Sequence, residues 1–91
     1  MSKKNEIKIL RRKIRNLQKQ IRKQQKLLNK RIDRFEKLLS KTTSPGYRQQ
    51  LISNLNALKT QTGGQLELNI TRTNQEIAEL QNQIRILESA N

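Results

Sequence analysis

Apolar residues recur at Ile7, Leu10, Ile14, Leu17 and Ile21, then at Leu28, Ile32, Phe35 and Leu39. The steps alternate between three and four residues, apart from one interval of seven in which Gln24 fills the seam position. This spacing describes one amphipathic helix that buries a narrow stripe against a neighbouring helix. It predicts a helix over about residues 4–40, roughly 55 Å long at ~1.5 Å per residue.

The second half keeps the same rhythm at Leu51, Leu55 and Leu58, and again at Leu66, Ile70, Thr73, Ile77, Leu80, Ile84 and Leu87. Between the halves stands KTTSPGY, Lys41–Tyr47. Pro45 disfavours a helical Ser44, which is then placed to cap a new helix whose first residue is Pro45. A turn over 41–45 followed by a helix over about 45–90 is expected. Connections this short make antiparallel neighbours. The expected fold is therefore all-α, a single-domain antiparallel helical hairpin of coiled-coil type over residues 1–91.

Folding the chain at the Pro turn suggests a register. Phe35 would meet Leu51 or Ile52, Ile32 would meet Leu55, and Leu28 would meet Leu58. Further along, Ile21 would meet Leu66, Leu17 Ile70, Ile14 Thr73, Leu10 Ile77 and Ile7 Leu80. The gap at Gln24 would fall opposite Gly63. Two adjacent glycines, Gly63 and Gly64, are the weak point of the second arm, since each costs about 1 kcal/mol relative to Ala inside a helix. They admit a loop followed by a third helix, or one helix with a kink or close approach opposite Gln24. The register resumes beyond them, which favours the second reading.

Ile9, Leu27, Leu38, Leu68 and Ile86 lie beside the seam. In the register above, Ile84 and Leu87 extend past the start of the first helix. A lone helix pair leaves one side of its core wet, so these residues point to further packing, most simply a dimer of hairpins forming a four-helix bundle.

Charge is the second strong constraint. Residues 1–41 hold sixteen Lys or Arg against three acids, Glu6, Asp33 and Glu36, which leaves +13; the remaining residues hold four of each sign. From Arg11 to Lys26, RRKIRNLQKQIRKQQK, eight of sixteen residues are cationic and none is acidic. With Ile7 at heptad position a, the outermost positions read Lys8, Arg12, Arg15, Lys19, Arg22 and Lys26, a straight stripe with one cation every ~5 Å of axis. Arg11, Lys13 and Lys23 widen it. Coiled-coil outer faces ordinarily mix signs, whereas these i,i+3 and i,i+4 neighbours repel by some tenths of a kcal/mol each. A polyanion would relieve that repulsion. The candidate nucleic-acid-binding residues are Lys8, Arg11, Arg12, Arg15, Lys19, Arg22, Lys23 and Lys26.

The composition narrows the partner. The only aromatic residues are Phe35 and Tyr47. Phe35 belongs to the seam, so a platform for stacking single-stranded bases is not expected. A basic rod suits duplex DNA, or structured RNA with duplex segments, contacted through phosphates. A basic leucine zipper places its basic region before its zipper; here the two patterns are superposed. No apolar run approaches the ~18 residues needed to span a bilayer, and no Trp lines an insertable face, so no membrane partner is expected.

Cys and His are both absent from the sequence, which removes disulfides, thiolate metal sites and the commonest general base. Asp33 and Glu36 sit among Arg31, Arg34 and Lys37, where salt bridges explain them better than metal or acid–base work. No nucleophile–base pair, phosphate-binding glycine loop or metal-ligand spacing is present. No enzyme activity, metal or cofactor is expected.

Two readings follow. The first is a non-enzymatic nucleic-acid-binding hairpin, cytoplasmic and nucleoid- or ribonucleoprotein-associated, that self-associates or joins a protein partner as an accessory subunit. The second is an interaction protein, such as a phage or mobile-element factor or a scaffold, whose basic helix docks on an acidic protein surface.

Overall fold

The structure, a computed structural model, describes residues 2–90. They form α1 (Lys3–Lys41), α2 (Pro45–Ala57), a π-helical turn (Leu58–Thr62) and α3 (Gly63–Ser89), with no strand among the described residues. The fold is an all-α helical hairpin, as the seam implies. Its packing divides into two compact units, Lys23–Leu68 and Met1–Arg22 with Asn69–Asn91.

The unit Lys23–Leu68 contains the turn. α1 ends there with three carbonyls of its last turns engaged by side chains: Ser40 Oγ donates to the Lys37 carbonyl at 2.7 Å and Thr42 Oγ1 to the Leu38 carbonyl at 2.7 Å, the third being that of Leu39. The Arg48 guanidinium reaches back from α2, and its Nη1 donates to the Leu39 carbonyl at 2.8 Å and the Thr42 carbonyl at 3.1 Å. A cation at this end also complements the partial negative charge of the helix C-terminus. Ser44 is extended, at φ −68° and ψ 119°, and Pro45 opens α2. The Ser44 carbonyl accepts from the Arg48 backbone N–H at 2.9 Å. Contrary to expectation, the Ser44 side chain makes no capping hydrogen bond. The fixed φ of Pro45 and the extended Ser44 backbone set the helix start without it.

Leu51, Leu55 and Leu58 are buried in this unit, while Leu28, Ile32, Phe35 and Leu39 of α1 are half-buried. Leu58 to Leu66 spans eight residues, one more than a heptad, and the π turn accommodates the extra one. The Gly63 N–H donates to the Leu58 carbonyl, five residues back. A single π turn is the usual form of a one-residue insertion in an α-helix. The chain does not form a loop here, since Gly63 keeps helical φ −63° and ψ −42°.

The expected close approach of Gly63 to Gln24 is corrected. Gln24 is exposed, and the side chain packed over Gly63 is Leu28. A Cβ built on Gly63 would lie 3.9 Å from Leu28 Cδ2 and 3.6 Å from the Leu58 carbonyl oxygen, both ordinary contacts; one built on Gly64 meets nothing within 4 Å. Glycine is thus not sterically required, and Gly64→Ala is expected to stabilise the protein by about 0.5–1 kcal/mol. A urea melt reads this as a higher midpoint at unchanged slope; a lower midpoint would contradict the open space beside Gly64.

In the unit Met1–Arg22 with Asn69–Asn91, Ser2 caps α1. Its Oγ accepts from the Asn5 N–H at 3.2 Å and its carbonyl from the Glu6 N–H at 3.0 Å. Ile14, Ile77 and Ile84 form the core, with Ile7, Leu10, Leu17, Ile21 and Leu80 packed against them. Here too the register differs from the one counted off the turn. Leu10 shares a groove with Gln83 and Leu87, and Arg11 pairs with Glu88. Helical side chains lean toward their own N-terminus, which offsets contacts in an antiparallel pair by about one position per helix, and the π turn adds one residue to the second arm; both act in the observed direction and supply part of the shift. The consequence is a second correction. Ile84 is only 7% exposed and belongs to the hairpin core, so neither it nor Leu87 overhangs the first helix.

Candidate polyanion interface

A residue that follows a seam position lies on one flank of the helix, and a residue that precedes it lies on the other. In an antiparallel pair the two following-residue flanks fall on the same side. The contacts agree. Arg11 follows Leu10, Glu88 follows Leu87, and Arg11 Nη2 stands 3.6 Å from Glu88 Oε2. Lys59 follows Leu58, Glu36 follows Phe35, and Lys59 Nζ stands 3.5 Å from Glu36 Oε1. On the opposite flank, Glu6, Ile9 and Gln83, each preceding a seam residue, line one groove.

This rule sorts the basic residues of α1. In the unit Met1–Arg22 with Asn69–Asn91, Lys8, Arg11, Arg15 and Arg22 each follow a seam isoleucine or leucine, so one flank is cationic through the unit. Lys4, Lys8, Arg11 and Arg15 line an open groove on that flank together with Ile7 and Glu88. Arg12 and Lys19 stand on the outermost ridge and are exposed. Lys23 and Lys26 belong to the other unit and are also exposed there. Lys26 occupies an outer position, while Lys23, preceding Gln24, turns to the other flank.

Lys4 was not among the residues expected from sequence. Its signal was present, because it lies three residues before Ile7 and four before Lys8, on the same flank.

All eight candidate residues are exposed, and so is every other Lys or Arg of α1. Among the described residues only Arg11 of the eight lies within salt-bridge distance of a carboxylate. Both side chains of that pair are more than half exposed, so it contributes at most about 1 kcal/mol. The second basic stretch is more mixed. Glu36 pairs with Lys59 from the other arm and not with Arg31, Arg34 or Lys37 as expected, because its flank faces that arm. Asp33 forms no ion pair among the described residues. No group of three or more acidic residues that could hold a metal occurs among them, and no described helix is long and apolar enough to cross a membrane.

Chemically, this flank offers a row of exposed guanidinium and ammonium donors at helical spacing. Such a row suits the repeating charge of a phosphodiester chain better than a single small anion, for which nothing converges. Comparison with protein families, with curated proteins and with solved structures finds no match for this chain.

Proposed function

We propose that this chain is a non-enzymatic nucleic-acid-binding hairpin that holds the phosphates of duplex DNA or duplex-containing RNA along the cationic flank and outer ridge of α1, as an accessory subunit of a larger nucleoprotein assembly. The supporting observation is the unbalanced row of exposed cations, Lys4, Lys8, Arg11, Arg15 and Arg22, beside Arg12 and Lys19, with one carboxylate, Glu88, within reach. A chain shaped only by solubility would interleave acids on such a face. A duplex suits it better than a single strand, because Phe35 is half-buried in the seam and Tyr47 is the one other ring.

Titration of the purified chain into duplexes of unrelated sequence tests the reading. Binding is expected with little sequence preference. Log affinity should fall linearly with log salt, at a slope of about −0.9 for each phosphate contacted. Absence of binding to any duplex at low salt would contradict it and favour an acidic protein surface as the polyanion.

A further inference from the structure

The flank opposite the cations has a different chemistry. In the unit Met1–Arg22 with Asn69–Asn91, Ile9 is 40% exposed and Ile86 is 58% exposed. Ile9 stands with Leu10, Leu87, Glu6 and Gln83 around an open groove that is largely apolar. Ile86 lies three residues beyond Gln83 on the same flank of α3. Each of these isoleucines immediately precedes a seam residue, Leu10 or Leu87. Both helices carry mixed charges on this flank: α1 contributes Glu6 at the groove and Lys13 one turn beyond Leu10, and α3 contributes Arg72, Glu76 and Glu79.

We propose that this flank docks a second copy of the chain. The two hairpins are related by a two-fold axis parallel to the helices, so that α1 of one copy lies over α3 of the other. The imbalance of charge between α1 and α3 favours this orientation, and Lys13 with Glu79 makes the flank complementary to a second copy of itself. Lys13 lies one turn beyond Leu10, and Glu79 one turn before Gln83, which shares a groove with Leu10. A copy turned about the parallel axis therefore brings Lys13 to the level of the other copy's Glu79, and Ile9 to the level of its Ile86. Laying α1 over α1 would instead bring the two helices that carry nearly all of the net positive charge side by side. In the proposed arrangement the two basic helices stand diagonally, separated by the nearly neutral α3 helices, and the like charges stay far apart. The interface is isologous and closed, as in most homodimers, and completes a four-helix bundle. The cationic flanks remain outside.

Sedimentation equilibrium at about 100 μM protein and about 150 mM salt, where screening confines charge effects to ~8 Å, tests this. The wild type should sediment as a dimer. Ile9→Asp with Ile86→Asp should be monomeric with unchanged helical circular dichroism, since both residues lie outside the hairpin core. Lys13→Glu and Glu79→Lys should each weaken the dimer about tenfold or more, and the double exchange should restore most of that affinity. Lys13→Glu also lowers the net positive charge, so a stronger dimer in that variant would mean that only overall repulsion is being sensed, and would overturn the proposal. So would a monomeric wild type, a dimer indifferent to the two Asp substitutions, or a double exchange no better than either single one.

Discussion

Replacing Ile84 by Ala should lower the stability of the hairpin by about 2–4 kcal/mol, while replacing Ile86 by Ala should change it by no more than about 0.5 kcal/mol in the free monomer. The two residues are the same type, two positions apart, in the same helix. Their environments differ. Ile84 is 7% exposed and packs in the cluster with Ile14 and Ile77; Ile86 is 58% exposed. Removing three carbons from the first leaves a cavity in a core too thin to collapse around it. Removing them from the second strips atoms already in water. The size of the Ile84 effect relative to the whole matters as much as its sign. Among the described residues only six hydrophobic side chains are buried, and Ile84 is one of them. A net folding free energy of order 5–10 kcal/mol would lose a large fraction at one position. Urea unfolding at dilute protein concentration measures both variants. Equal effects would mean that the end of the hairpin is frayed and that Ile84 overhangs, as backbone counting from the turn suggested.

The helices were legible because their signal is redundant. Nine apolar positions from Ile7 to Leu39 at three- and four-residue steps admit no strand, and SPG at Ser44–Gly46 admits no helix through it. The register was not legible, for two physical reasons. Side-chain lean offsets the contacts in an antiparallel pair by about one position per helix, part of the shift that takes Ile84 from an expected overhang into the core. The extra residue between Leu58 and Leu66 is visible in the sequence, but whether it ends a helix or is absorbed in a π turn depends on packing, and Leu28 over Gly63 favours absorption.

Arg48 shows another limit. Read along the chain it is one cation among few in a neutral half. In three dimensions it is the half-buried group that closes the end of α1, bonded to the carbonyls of Leu39 and Thr42. Nothing in local spacing announces a cap supplied by the neighbouring helix. The cationic residues of α1 are all exposed, but heptad position alone arranges them along the outermost ridge. The flank rule redistributes them, adding Lys4, separating Lys23, and leaving Arg12, Lys19 and Lys26 on the ridge.

The second large effect follows from that redistribution. Changing Lys8, Arg11, Arg15 and Arg22 together to Gln should leave the helical signal intact, since all four are exposed. The melting temperature should hold or rise slightly, because repulsion between turns falls while only the exposed Arg11–Glu88 pair is lost. Duplex affinity should collapse. If each of the four neutralises one phosphate, the slope of log affinity against log salt becomes shallower by about 3–4. The same relation gives close to one decade per contact at about 0.1 M salt, so the loss there is about 10³-fold or more. It should be similar across unrelated sequences, because phosphate contacts carry no base information.

A drop in affinity alone would not place the polyanion, since any four lost charges weaken the attraction of a chain of net charge +13. The decisive measurement compares two variants of equal charge on the same helix: Lys8, Arg11, Arg15 and Arg22 to Gln, and Lys30, Arg31, Arg34 and Lys37 to Gln. Duplex affinity is followed from about 50 to 300 mM salt for each variant and the wild type. Phosphate contact along the flank beginning at Lys4 predicts a slope shallower by about 3–4 in the first variant and by less than about 1 in the second. Equal changes in both would contradict it, reducing α1 to an unstructured source of charge, and unchanged slopes in both would leave the cationic flank a solvated surface.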